Sequence, residues 1–298
     1  MKKILSRTIC QRTMSITVIA CALAACGGGG DTAAAPVPVV STPAPTPTPV
    51  PVPAAGKWQL AMNDTWQWQL RGAINTSYDA AVYDVDLVDA AQATIDQLHR
   101  QGRHVVCYFS AGSSEDFRSD AGVFKPTDMG SKLAGWPGER WLDIRSANVR
   151  QFMAQRRLDL AVSKGCDGVE PDNVDGYANS TGFPLTASDQ LDYNRFLATE
   201  AHRRNLKVGL KNDLAQVALL VNEFDFAVNE QCHEFGECDK LHPFTAAAKP
   251  VFNAEYRADY RTNAADARTM LCAAAKAENF RTLVLPLELD DTFRYSCG

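Results

Sequence analysis

The chain lacks the signatures of several common chemistries. No Gly-x-Gly-x-x-Gly turn follows any of its apolar runs, which argues against a dinucleotide-binding sheet. Five histidines without His-x-x-x-His spacing and nine cysteines without Cys-x-x-Cys give no metal signature, and no cofactor is implied. Positive charge is in short supply: 30 Lys and Arg against 35 Asp and Glu leave a net charge of -5. That balance makes nucleic acid a poor partner. The apolar run from Ile16 to Ala25 is too short to span a bilayer.

That run has another use. Lys2, Lys3, Arg7 and Arg12 precede it, which is the layout of a secretory signal. The ending Leu23-Ala24-Ala25-Cys26 resembles a bacterial lipobox. It implies a lipoprotein signal over 1–25, cleavage before Cys26 and lipid attachment to that residue. Residues 26–57 then form a Gly- and Pro-rich linker, including Thr-Pro-Thr-Pro-Val-Pro-Val-Pro, whose composition cannot bury a core. The expected location is the cell envelope, anchored in a bacterial outer membrane and facing the periplasm or the exterior. The signal carries four positive charges and no negative ones, so the mature chain is more acidic than the whole. A cationic ligand suits such a surface.

Six cysteines remain after Cys26, an even set that favours disulfides in an exported protein. Cys232 and Cys238 bracket a short Gly-containing loop. Cys272 with Cys297 would staple the last helix to the tail, and Cys107 with Cys166 would join neighbouring strands.

Residues 58–298 have the length of a single eight-fold barrel. Strand-like runs occur at 66–70, 81–86, 104–110, 165–173, 206–212, 224–230, 250–256 and 282–287. Helical patterns fall at 89–102, 149–164, 189–205, 214–222 and 264–279. Strands separated by helices or long crossovers predict parallel pairing and a closed (β/α)8 barrel. An open doubly wound sheet is the alternative.

The strand ends carry the chemistry. Gly168-Val169-Glu170-Pro171-Asp172-Asn173 reads as a buried strand opening into two carboxylates and an amide. Asp84 and Asp86, Tyr108, Lys211 and Asn212, Glu230, and Glu255 and Tyr256 sit at comparable positions on other strands. If those strands are parallel, the groups converge on one mouth, the rim where barrel enzymes gather catalytic residues. Crowded carboxylates repel and resist burial, so their repetition is hard to explain as packing. Facing carboxyl groups are what glycoside cleavage needs.

Five motifs resemble one family. They are Val82-Tyr83-Asp84-Val85-Asp86, Val106 to Gly112, Gly165 to Gly176, Gly209-Leu210-Lys211-Asn212, and Val228-Asn229-Glu230-Gln231-Cys232. Together they resemble the endo-α-1,4-polygalactosaminidases, a glycoside hydrolase family with a (β/α)8 fold, over about Trp66 to Leu289. The resemblance implies cleavage of α-1,4-linked galactosamine and N-acetylgalactosamine exopolysaccharide with retention. It makes Asp172 the nucleophile and Glu230 the general acid/base. Asp84, Asp86, Tyr108, Glu170, Asn173, Lys211, Asn212, Glu255 and Tyr256 are then candidates for substrate binding. The expected partner is a cationic or partly acetylated galactosamine polymer, and a monomer is expected. The competing readings are a non-catalytic polysaccharide-binding lipoprotein on the same barrel and a hydrolase of another amino-sugar polymer.

Overall fold

Alternation of side chains along each strand decides what fills the barrel and what meets the helices. The structure, a computed structural model, describes residues 58–298. The signal segment, Cys26 and the Pro-rich linker lie outside the described residues. The strands in chain order are β1 (Trp66–Gln69), β2 (Val82–Asp86), β3 (His104–Ser110), β4 (Ser113–Glu115), β5 (Met129–Lys132), β6 (Glu139–Leu142), β7 (Gly168–Asp172), β8 (Lys207–Lys211), β9 (Phe226–Glu230), β10 (Val251–Glu255), β11 (Arg281–Val284) and β12 (Tyr295–Ser296).

Eight of them, β1, β2, β3, β7, β8, β9, β10 and β11, pair in that order and all in parallel. This is the expected (β/α)8 arrangement. Its interior holds Trp66, Trp68, Val82, Val106, Phe226, Val228, Phe252, Ala254 and Leu283. The alternate residues Tyr83, Val85, Val105, Cys107, Phe109, Val169, Val208 and Leu210 join the layer under the helices. Gly209 is an interior position because any side chain there would drive into the Phe226 ring. Trp58 closes the floor, where the strands begin. It stacks on His104 at 4.9 Å and lies 6.3 Å from the Phe226 ring.

The seam between β11 and β1 is closed without a regular ladder. The Trp66 indole donates to the Arg281 carbonyl at 2.8 Å, and Arg294 donates to the Trp66 carbonyl at 2.8 Å. β12 runs antiparallel to β11 at this edge. The three disulfides are Cys107–Cys166, Cys232–Cys238 and Cys272–Cys297, the pairs read from the sequence.

Two features depart from the sequence reading. The stretch after β3, which falls outside every strand-like run and helical pattern given above, contains a small antiparallel sheet in the order β4-β6-β5. Its strands are short and rich in Gly, Ser and charge, so they show no strand periodicity. The helical pattern over 149–164 begins at Ala147 and widens into a π-helix over Met153–Leu158. The long helix Ala187–Arg203 starts at Thr186, whose hydroxyl accepts from the Asp189 amide while Asp189 accepts from the Thr186 amide.

Candidate active site

Three neighbouring strands deliver the central residues in one manner. β7 ends at Asp172, β8 at Lys211 and β9 at Glu230, and the next residue in each case is left-handed. Those residues are Asn173 (φ 60°), Asn212 (φ 50°) and Gln231 (φ 63°). Asparagine tolerates this conformation because its short side chain can bond locally. The sharp exits leave the preceding side chains standing in the mouth instead of following a loop away.

Lys211 is the hub. Its ammonium lies 2.8 Å from Glu170, 3.3 Å from Asp172 and 3.6 Å from Glu230. It also sits 4.5 Å above the Trp68 ring. Burial alone would strip its proton, but Asp172, Glu170 and Glu230 outweigh that and hold its pKa well above the usual lysine value. Beneath it, Asp84 and Glu170 are buried side by side. Burial, then the charge of Glu170 and a hydrogen bond to it, pushes the Asp84 carboxyl far up. Asp84 Oδ1 and Glu170 Oε2 have no other hydrogen-bond partner, which fits a proton resting on Asp84 and shared with Glu170.

Exposure separates the carboxylates by what they can reach. The Glu170 side chain is 0% exposed, whereas Asp172 and Glu230 are 18% and 28% exposed. Only the last two open into the cleft and both line it. Each is held by donors. Tyr108 donates to Asp172 Oδ2 at 3.0 Å, with Asn173 Nδ2 at 3.4 Å. Tyr256 donates to Glu230 Oε1 at 2.6 Å, and Asn212 Nδ2 donates to Oε2 at 3.3 Å. Burial and the adjacent carboxylates push both phenols well above their ordinary pKa, so they remain donors.

The cleft spans about 890 Å³, open solvent included. Trp136 from the β5–β6 connection and Trp141 from β6 wall one side, and Leu70, Leu287 and Leu289 the other. Trp66, in contrast, is part of the barrel interior.

Asp84 and Glu170, read as substrate-binding, are sealed beneath the cleft by burial, and two more predicted residues are placed elsewhere. Glu255 faces the outer layer, where it accepts from Asn253 at 3.1 Å and from the His233 amide at 2.9 Å. Neighbours on a strand face opposite sides, so Glu255 and Tyr256 cannot both reach the mouth. Asp86 is at the rim but bound up with Arg118, which also holds Glu115. It lines a second lobe, apart from the Lys211 hub. Sequence reading missed Glu115, Arg118 and Glu139, which come from the patternless insertion after β3. Cys232, His233 and Cys238 are grouped closely enough for a metal ion, but their two sulfurs are already bonded to each other.

Comparisons with known proteins identify the family and the fold. The model of glycoside-hydrolase family GH114 matches residues 47–298. Ega3 from Aspergillus fumigatus, crystallised as a complex with galactosamine, is 43% identical. The match covers 82% of this chain and 99% of that one, with a TM-score of 0.74. The glycoside hydrolase domain of PelA from Pseudomonas aeruginosa is 15% identical over 76% of this chain and 96% of its own, with a TM-score of 0.59. At that identity the likeness concerns the fold. Among curated proteins, none matches.

Proposed function

The chain belongs to glycoside-hydrolase family GH114, and from that membership we propose a retaining endo-galactosaminidase that cleaves α-1,4-linked galactosamine polymer. The supporting observation is the pair Asp172 and Glu230, the two cleft-facing carboxyls that share one lysine. The similarity to a protein crystallised with galactosamine supports the substrate class.

Asp172 is the nucleophile. Tyr108, Asn173 and Lys211 hold its oxygens in place for attack on the anomeric carbon. Glu230 protonates the departing glycosidic oxygen, then takes a proton from the water that releases the glycosyl-enzyme. Tyr256 and Asn212 fix its orientation for both steps. Trp136 and Trp141 offer aromatic faces for sugar rings. The basic, apolar leader and the Leu-Ala-Ala-Cys ending support export and lipid anchoring through Cys26, and three disulfides fit an exported protein.

The test is hydrolysis of partly deacetylated α-1,4-galactosaminan, followed by proton NMR of the first-formed reducing ends. The expected result is α-configured product from the wild type and a loss of at least a thousandfold in kcat for Asp172→Asn. First-formed β product would overturn retention. Equal rates would remove Asp172 from the chemistry, and tight binding without product would select the non-catalytic reading.

A further inference from the structure

The cleft continues past Tyr108 and Trp136 into a second lobe, spanning about 800 Å³ with open solvent included, that includes Asp86, Glu115, Phe117, Arg118 and Glu288. Most buried acids around the two lobes have a cation. Lys211 serves Glu170, Asp172 and Glu230, and Arg118 serves Asp86 and Glu115. Glu139 lies at the junction, lines both lobes and has neither cation. Among the described residues no Lys, Arg or His lies within ion-pair distance of it.

Its surroundings fix half of the carboxyl. Glu139 is only 8% exposed. The Ser113 hydroxyl donates to its Oε2 at 2.6 Å. Ser113 in turn lies 2.6 Å from the Ser110 hydroxyl, which accepts from Asn173 Nδ2 at 2.9 Å. The chain of donors therefore runs from the loop after Asp172 to Glu139. Oε1 has no hydrogen-bond partner among the described residues. A carboxylate this buried is costly to ionise without a cation. Several groups face Glu139: Ser113 and Glu115 from β4, Tyr108 from β3, Asp172 from β7, and Arg118. Burial first raises its pKa to about 7, with Glu115 and Asp172 adding to the rise while Ser113 and Arg118 oppose it.

We propose that Glu139 is the receptor for the ammonium group of a hexosamine unit lying across the junction, and so sets the preference for deacetylated over N-acetylated units. This rests on the galactosaminidase reading and deepens it. A free ammonium completes the buried carboxyl at this junction, which lacks a cation. An acetamide carries no charge to do so and adds bulk beside Tyr108 and Trp136. The preference should strengthen from pH 5 to pH 7, as Glu139 gives up its proton while much of the sugar amine keeps its own.

The experiment compares kcat/KM on deacetylated and fully N-acetylated α-1,4-galactosamine oligomers at pH 5 and pH 7, for wild type and E139Q. The expected result is that the deacetylated-to-acetylated ratio at pH 7 falls at least tenfold in E139Q and loses its rise with pH. An unchanged ratio, or equal proportional losses on both oligomers, overturns the proposal. Ser113→Ala, which frees Oε2, should lower the same ratio at least threefold; no change there overturns it even if E139Q fails to fold. If the wild type cleaves neither oligomer, the galactosaminidase reading has failed. Calorimetry with free galactosamine and N-acetylgalactosamine then still decides the role of Glu139. Wild type must favour the amine and E139Q must not.

Discussion

Replacing Lys211 by methionine removes one charge that three carboxylates share. Breaking a buried ion pair from one side costs about 3–5 kcal/mol. Lys211→Met should therefore melt well below the wild type and lose most of its kcat, because the carboxylates at the mouth would repel one another. Thermal melts and initial rates on the same preparation check both. Asp213 makes a different prediction. Burial, helped by the charge of Asp175 and opposed by bonds from Tyr177 and Asn194, raises its carboxyl to about 8. An unfolded aspartic acid titrates near 3.9. Its folded pKa is the higher one, so the stability it contributes is present below about pH 4 and is lost as pH rises through 8. Asp213→Asn cannot ionise, so it should gain on the wild type between pH 5 and pH 8.5 in melting temperature. A constant gap would mean that Asp213 does not titrate in this range. The acids at strand ends were legible as residues because repeated carboxylates have no packing use. Which way each one pointed was legible only by counting alternation, and that count moves Glu255 to the outer face. Glu139 carries no sequence signal, since its burial comes from an insertion folding back over β3.

Among the elements, the eight barrel strands were readable because each is a short apolar run between a helix and a loop. The β4–β5–β6 sheet was not, being three or four residues per strand with one register shift. This insertion builds one wall of the cleft and is fastened at Gly112, between β3 and β4. A side chain at Gly112 would collide with the Asn173 backbone carbonyl. Gly112→Ala must therefore push the turn after β7, and Asp172 with it. A loss of ten- to a hundredfold in kcat is expected with KM less affected, and wild-type kcat would mean that the turn is free to shift. Gly209→Ala tests the barrel floor instead. Overpacking a filled interior costs about 1–3 kcal/mol. Its melting temperature should fall while kcat changes little, since Phe226 lies at the start of β9 and Glu230 at its end.

For the whole molecule, fold class and disulfide pairing were both legible in the sequence, because Cys107 and Cys166 fall on or beside neighbouring strands, Cys232 and Cys238 bracket one loop, and Cys272 and Cys297 lie in the last helix and the tail. Closing the seam at Trp66 and Arg281 was not, as it depends on an indole meeting a backbone carbonyl more than 200 positions away. The disulfides should rank by the loop each one closes. On a chain-entropy model, loops of the size closed by Cys107–Cys166, Cys272–Cys297 and Cys232–Cys238 give about 4, 3.5 and 2 kcal/mol. Paired Cys→Ala variants, unfolded in urea, should lose stability in that order, and a reversed order would assign the stabilisation to local packing instead.

Trp58 gives the domain an underside. It is where the described chain enters, wedged among the strand beginnings and across the barrel from Asp172 and Glu230. The described chain therefore begins at the base of the barrel, at the end away from the mouth. A polymer seated over Asp172 and Glu230 thus has no need to thread past that beginning.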